Sequence, residues 1–456
     1  MIKKFNELKL SEKFLENLHS LNYKEMTKIQ EKSLPISLEG KDLIAQAKTG
    51  SGKTVSFSIP IVKKLKVRKF TIQSLVLAPT RELANQIAQE IRKVSRHIHN
   101  VKVLTLCGGV PYKPQVASLR HGAHIVVATP GRILQHIFET KIDLSDLEML
   151  VLDEADKMLD MGFYEDIIKV VEAIPKNRQT MLFSATYEED IEKLASLITN
   201  EPVFIEDNSV HEKQVINQTL YEASEGEKDL LIPSLIESRE AKSVLIFCNT
   251  KVKCDELADI LYENDIDVLT LHSDLDQRER DETIIMFSNK SYPVLVATDV
   301  ASRGLDIDDI DLVINYDLAK DVKTHIHRIG RTARAGKKGL AISFYDEDSK
   351  YKLDMLEERF DDLIFGKKEE IEACNYEIDC DFRTLFINGG KKHKVRAGDI
   401  LGALTAGIGL PKDAIGKIDI LEFVSYVAIK KEYIDRAYEG LCKNKIKGKY
   451  IKCYIK

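Results

Sequence analysis

The stretch "AQAKTGSGKT", residues 45–54, decides the fold. It follows the apolar "DLIA" and precedes a helix-compatible run, so a strand leads into a helix through a glycine-rich turn. Gly50 and Gly52 let backbone N–H groups converge on phosphate oxygens without Cβ clashes. Lys53 then reaches the β/γ-phosphates, and the Thr54 hydroxyl joins a Mg²⁺ shell. Ala47, Lys48, Thr49 and Ser51 complete the cradle, with Ala47 standing where the commoner form of the motif has Gly. Residues of these types occur at roughly 6–8% each, so a chance match over this length is on the order of one in a thousand. The stretch reads as a phosphate-binding loop.

A loop of that kind needs a carboxylate at the end of a neighbouring strand to hold the metal. "VLDEADKM", residues 151–158, supplies three carboxylates in four residues directly after an apolar run. Alone, such a cluster is more often a solvated acidic corner than a site. Beside a phosphate-binding loop, Asp153 is placed to hold Mg²⁺, and Glu154 to orient and deprotonate an attacking water.

Short apolar, β-rich runs alternate with longer amphipathic stretches up to about residue 345. "SLVLAP" (74–79), "VKVLTLC" (101–107), "AHIVVATP" (123–130), "MLVLDEA" (149–155) and "QTMLFSAT" (179–186) read as buried parallel strands. "RELANQIAQEIRKVSRHI" (81–98) reads as a helix between them. The rhythm restarts after the polar "EDNSVHEKQ" (206–214) with "SVLIFCNT", "DVLTLHSD", "PVLVATD" and "DLVINYD". Alternation of this kind predicts two doubly wound α/β sheets in tandem.

The chain has 456 residues, enough for two to four domains, and 44% of them are hydrophobic. No apolar run reaches the ~18 residues a membrane span needs, and the amphipathic N-terminus lacks the apolar core of a signal peptide. Seven cysteines, never spaced CxxC, suggest free thiols in a reducing compartment, hence the cytoplasm. Cysteines and histidines form no zinc-type set. Residues 383–456 carry 16 Lys+Arg against 7 Asp+Glu, a net of +9, while residues 1–382 carry 51 against 66, a net of −15. A basic tail on an acidic body suggests a polyanionic partner for the tail.

Further blocks follow in a fixed order: "PTREL" (79–83), Gly108-Gly109, "TPGR" (129–132), Ser184-Ala185-Thr186, "ATDVASRGLD" (297–306) and "HRIGRTAR" (327–334). With the two stretches above, this series resembles the DEAD-box RNA helicases over essentially all of residues 1–345. The resemblance implies RecA-like helicase domains at 1–207 and 208–365, with a linker at 366–382 and a third domain at 383–456. It implies ATP and Mg²⁺ as cofactors, RNA as partner, a monomeric protein, and catalysis by Lys53, Asp153, Glu154, Arg331 and Arg334. The two arginines would act as fingers on the γ-phosphate, each capable of ~10³–10⁵ in rate. Asp306 would contact the ribose. Ser184, Thr186, Asp156 and His327 would couple the nucleotide site to strand separation.

Gln30, in "NYKEMTKIQ" (22–30), resembles the adenine-reading residue of the family, since an amide offers a donor and an acceptor together. Asn22 and Met26 depart from the family's Gly and Pro. Phe5 is the candidate to stack on the base, with a core phenylalanine the competing reading. RNA contacts are expected from Arg81, Gly109, Thr129, Gly131 and Arg132 in the first domain, and from Thr250, Gln277, Arg280 and Thr298 in the second. Such contacts grip backbone and 2′-OH and read no sequence.

Specificity must then come from the tail. "TLFINGGKKHKVRAGDILGALT" (384–405), "IGKIDILEFVSYVAIK" (415–430) and "NKIKGKYIK" (444–452) resemble the C-terminal RNA-binding domain of one group of bacterial DEAD-box proteins. That domain is an RRM-like α+β fold which, in the group, grips a hairpin of 23S ribosomal RNA on pre-50S particles. Phe386 and Tyr426 occupy the strands from which RRM sheets stack bases, and a packed sheet residue is the alternative for Tyr426. Lys391, Lys392, Lys394, Arg396, Lys445, Lys447 and Lys449 are the expected basic contacts. The sequence thus predicts an ATP-dependent helicase that opens short duplexes in ribosomal RNA during large-subunit assembly. The alternatives are a nucleotide-gated RNA clamp and a generalist RNA-remodelling chaperone.

Overall fold

The computed structural model describes residues 4–47, 50–206, 216–299, 310–332, 339–371, 378 and 380–456. They form two compact units, Met1–Lys213 and Gln214–Lys456. The first holds seven strands: β1 (Leu43–Gln46), β2 (Ser74–Leu77), β3 (Val103–Leu106), β4 (Ile125–Ala128), β5 (Met149–Leu152), β6 (Gln179–Ser184) and β7 (Val203–Glu206). All are parallel, in the order β3-β4-β2-β5-β6-β1-β7. The continuous apolar runs of β2, β4 and β5 follow from burial on both faces. In β2, Val76 joins the core on one side of the sheet, while Leu75 and Leu77 join the core on the other.

The helix expected at 81–98 spans Arg81–Val94. The Thr80 hydroxyl caps it by accepting from Leu83 N–H, and Ala84, Ile87, Ala88, Ile91 and Val94 form its buried stripe at spacings of one to four. Arg92 and Lys93 complement the dipole in its last turn.

In the second unit the same plan recurs. Strands β8 (Ile216–Glu222), β9 (Val244–Phe247), β10 (Val268–Leu271), β11 (Val294–Ala297), β12 (Leu312–Asn315), β13 (Gly339–Tyr345) and β14 (Leu363–Phe365) form a parallel sheet in the order β10-β11-β9-β12-β13-β8-β14. Position for position this is the order of the first sheet, so the tandem rhythm of the sequence is a repeated topology.

The tail folds as an antiparallel sheet, β16 (Ile415–Ile420), β17 (Ser425–Lys430), β15 (Phe382–Ile387) and β18 (Cys453–Ile455), in that order. Leu385, Ile387, Val427 and Ile429 face its helices Ala397–Gly402 and Ile434–Lys443. By the period-2 alternation of strands, Thr384, Phe386 and Tyr426 face the opposite way. That face is covered. Phe386 and Tyr426 pack on Ile285 of the helix Gln277–Ser288, which belongs to the second parallel-sheet domain. Polar contacts surround the apolar centre: Asn289 Nδ2 donates to Thr384 Oγ1 at 2.9 Å, and Thr384 Oγ1 donates to Ser291 Oγ at 2.8 Å. Arg383 pairs with Asp267 at 2.9 Å, and Lys456 with Glu282 at 2.6 Å. Among the described residues, no helix is long and apolar enough to cross a membrane.

Candidate active site and nucleic-acid interface

The glycine-rich turn ends at the helix Lys53–Lys64, whose first N–H groups lack intrahelical partners and suit an anion. Gly50 and Gly52 have φ of +80° and +95°. A Cβ on Gly52 would come within 2.5 Å of Gln30 Nε2, so that position requires glycine. Lys53 is buried, with Nζ donating to the Ala47 carbonyl at 2.9 Å. Ala47 N–H in turn donates to the Ser184 carbonyl at 2.9 Å, which pins the base of the loop to the end of β6.

Gln30 sits against this turn. Its Oε1 accepts from Thr27 N–H at 3.0 Å, closing a capping box, and its Nε2 donates to the Gly52 carbonyl at 3.0 Å. One N–H and one lone pair of the amide remain for a base edge. Phe5 lies in the short helix Phe5–Glu7 at the start of the chain. The residue is 3% exposed and belongs to the core cluster beside Tyr23. Lys48, Thr49, Asp306 and Arg334 lie outside the described residues.

Asp153 follows β5 and is buried. Burial pushes its carboxyl up to about 6, against the pull of the nearby Lys53 ammonium and with a further push from Glu154. A cation would relieve that penalty. The hard oxygen donors available, the Asp153 carboxylate and the Thr54 hydroxyl, suit Mg²⁺, which takes few protein ligands and completes its shell with phosphate and water.

Glu154 adopts a left-handed backbone, φ +52° and ψ +51°, at the start of the helix Ala155–Asp160. Its Oε2 accepts from Lys157 Nζ at 2.9 Å, with both side chains buried. Lys157 was not singled out from the sequence, although its i, i+3 spacing from Glu154 is the signal for such a pair. Asp156 Oδ2 accepts from Ala185 N–H at 3.2 Å, so the acidic cluster is joined directly to Ser184-Ala185-Thr186. The hydroxyls of Ser184 and Thr186 are buried without a hydrogen-bond partner among the described residues.

Residues expected to contact RNA gather at the carboxyl ends of strands. In the first unit, Arg81 opens the helix after β2 and Gly109, at φ +69°, lies beyond β3. Thr129 precedes the helix Pro130–Gln135 after β4, and Arg132 within that helix is steadied by donating from Nη1 to the Val110 carbonyl at 3.0 Å. In the second unit, Thr250 caps the helix Lys251–Glu263 after β9, Gln277 opens the helix after β10, and Thr298 follows β11. These are the corresponding places of the repeated topology.

Arg331 follows the helix Val322–Ile329 and is buried, and His327 is half-buried on that helix. Arg328, which the sequence reading passed over, is 1% exposed. Its guanidinium forks onto Asp299, with Nε to Oδ1 at 2.7 Å and Nη2 to Oδ2 at 2.8 Å. Nη1 donates to the Asp317 carbonyl at 2.7 Å and to Asn315 Oδ1 at 3.2 Å. Arg328 therefore ties together the ends of β11 and β12 three residues before Arg331.

Comparison with known proteins assigns these features. Residues 27–194 match the DEAD/DEAH box helicase model, 227–336 the helicase conserved C-terminal domain, and 384–454 the DbpA RNA binding domain. The chain belongs to the DEAD-box RNA helicases. It is 45% identical to the ATP-dependent RNA helicase DbpA of Escherichia coli K12 over 435 residues, 95% of each chain. It is 36% identical to the DbpA of Bacillus subtilis 168 over 471 aligned positions, 98% of each chain. Saccharomyces cerevisiae Dbp5 bound to RNA and ADP BeF3 superposes with a TM-score of 0.72 at 31% identity, covering 81% of this chain and 96% of that one. The protein is thus an ATP-dependent RNA helicase of the DbpA type, with three sequence segments matching three folded parts.

One expectation for the helicase tail requires correction. Phe386 is 5% exposed and Tyr426 fully buried, both against Ile285, so neither ring is open to a base. The seven basic residues behave differently. Lys391, Lys392, Lys394, Arg396, Lys445, Lys447 and Lys449 are all exposed.

Proposed function

We propose that this helicase opens short duplexes in 23S ribosomal RNA on pre-50S particles in the cytoplasm, with ATP and Mg²⁺ as cofactors. The observation that carries the reading is the tail: a folded module of net charge +9, matched over 384–454 by the DbpA RNA binding domain. A generalist needs no such address.

In this reading Lys53 neutralises phosphate charge from its buried position beside Asp153. Asp153 and Thr54 hold Mg²⁺, which supplies charge neutralisation on the β- and γ-phosphates when bound. Glu154 orients the attacking water and accepts its proton, and Arg331 meets the charge that develops on the γ-phosphoryl group. The Asp156–Ala185 hydrogen bond and the Ala47–Ser184 hydrogen bond give the acidic cluster, the phosphate loop and residues 184–186 a common rigid frame. Coupling of hydrolysis to RNA through Ser184 and Thr186 rests on that frame.

The test is RNA-stimulated ATPase activity with tiled 23S rRNA fragments against unrelated RNA of equal length, for the whole chain and for a chain lacking 383–456. One ribosomal fragment should stimulate best. The truncated protein should keep bulk stimulation, lose the preference, and show a shallower slope of log K against log salt. Equal stimulation of the whole chain by ribosomal and unrelated RNA would overturn the ribosomal reading.

A further inference from the structure

Phe386 and Tyr426 are covered by Ile285, so these two rings of the sheet face are closed to bases. Three loops meet at one end of its sheet. Lys391 and Lys392 N–H groups donate to the Leu421 and Glu422 carbonyls at 3.0 and 2.8 Å, joining the 388–394 loop to the turn that carries Phe423. Lys447 Nζ donates to the Lys394 carbonyl at 2.7 Å, joining the same loop to the segment 445–450. Ile446 and Lys449 exchange backbone hydrogen bonds at 2.9 and 3.1 Å across Lys447 and Gly448, whose φ values of +51° and +79° define a tight turn. The turn is fixed, because Ile446 is 1% exposed and packed in the tail core.

On this end the rings are open. Tyr450 is 69% exposed and Phe423 57% exposed, against 5% and 0% for Phe386 and Tyr426. Lys445 Nζ lies 5.1 Å from the Tyr450 ring centroid, so cationic charge sits on the ring that a base would approach. Large exposed rings among exposed lysines on a rigid turn combine the two ingredients of single-strand recognition, a π-surface and a phosphate grip.

We infer that Tyr450, with Phe423 at the same end of the sheet, is the platform on which the tail stacks unpaired RNA bases. The inference deepens the RNA-binding reading of the tail and rests on it. The lysines hold phosphates of the flanking stem, and the rings take bases that the stem leaves unpaired. A fully paired duplex offers the lysines the same charge but no accessible base face.

Fluorescence anisotropy with the full-length protein tests this, using three labelled RNAs: a 23S rRNA stem-loop fragment, a stem-loop of arbitrary sequence, and a blunt duplex of the stem length. Tyr450→Ala should weaken binding of at least one stem-loop about tenfold, in the range of one lost base stack. Duplex binding and the salt slope should stay unchanged, because no charge is removed. Tyr450→Phe, which keeps the ring, should restore stem-loop binding. Wild-type affinity of Tyr450→Ala for both stem-loops, or an equal loss on the duplex, overturns the inference. A wild-type protein that binds both stem-loops alike, with both weakened by Tyr450→Ala, refutes the ribosomal address and leaves the stacking platform intact.

Discussion

Arg328→Lys keeps the charge at its position and removes the planar fork, which makes it a sharp probe of the second helicase domain. A lysine ammonium can still pair with Asp299. It cannot at the same time reach the Asp317 carbonyl and Asn315 Oδ1, which Nη1 now serves at 2.7 and 3.2 Å. Each buried acceptor left short of a donor costs about 1–3 kcal/mol, and Arg328 has almost no solvent to substitute for it, at 1% exposed. Retained pairing with Asp299 places the total near the lower end, about 3 kcal/mol. Native-state hydrogen exchange reads this cost where it arises. Amides of β9, β11 and β12 should exchange about a hundredfold faster, since each 1.4 kcal/mol is a factor of ten when exchange proceeds through opening of the unit. Strands β2 and β4, in the other unit, serve as the internal control. A change below threefold in β9, β11 and β12, or an equal change in β2 and β4, would refute the assignment of Arg328 as the tie across these strand ends.

Glu154→Gln should bind ATP like the wild type and lose ~10²–10⁴ in turnover, since only the water-activating carboxylate is removed; near-normal turnover would take Glu154 out of the mechanism. Arg331→Ala should lower hydrolysis by ~10³ or more while nucleotide affinity changes only a few-fold, measured by ATPase assay and titration with a fluorescent nucleotide. The His325 ring is 1% exposed, bonded through Nε2 to Gln218 Oε1 at 2.8 Å, and burial lowers its pKa to about 4, assisted by Arg328. A histidine kept neutral in the fold stabilises fully above its unfolded value of about 6.5. Stability should therefore fall as pH drops from 6.5 towards 4, by up to about 3 kcal/mol, and His325→Gln should flatten that slope in urea melts.

Much of the fold was legible because β2, β4–β6, β9, β11 and β12 are covered on both faces, which makes most of them continuous apolar runs. Strands on the margins carry weaker marks. β14 is three residues in an acidic stretch, β18 is three residues after a lysine-rich loop, and β7 has alternating half-exposed positions. The phosphate loop and acidic cluster were legible because their chemistry demands particular residue types at fixed spacing. Arg328 was passed over because a buried arginine and an exposed one look alike in sequence, and only Asp299, Asn315 and Asp317 converging from three chain segments distinguish them. Phe386 and Tyr426 misled for a related reason. Alternation in β15 and β17 says that two faces exist, and is silent on what lies against the second. A signal did exist in "TIIMF" (283–287), where Ile284 and Phe287 serve one core and Ile285 another. An apolar run that wide on a short helix needs partners on more than one side.

The seam between the tail and the helix Gln277–Ser288 bears on how such helicases could be re-aimed at new RNAs. If the tail hung on a tether, a foreign RNA-binding module could be spliced on wherever the chain length allowed. Instead Thr384, Arg383 and Lys456 meet Asn289, Asp267 and Glu282 around Ile285, so a transplant brings its own cargo but not the matching socket. A chimaera would inherit an exposed Ile285 and an uncovered Glu282, and its new module would be aimed at random relative to Gln277 and Arg280. Retargeting by altering the three loops at the far end of the sheet leaves the socket untouched. Diversification of the RNA address is therefore expected to run through loop replacement rather than domain exchange.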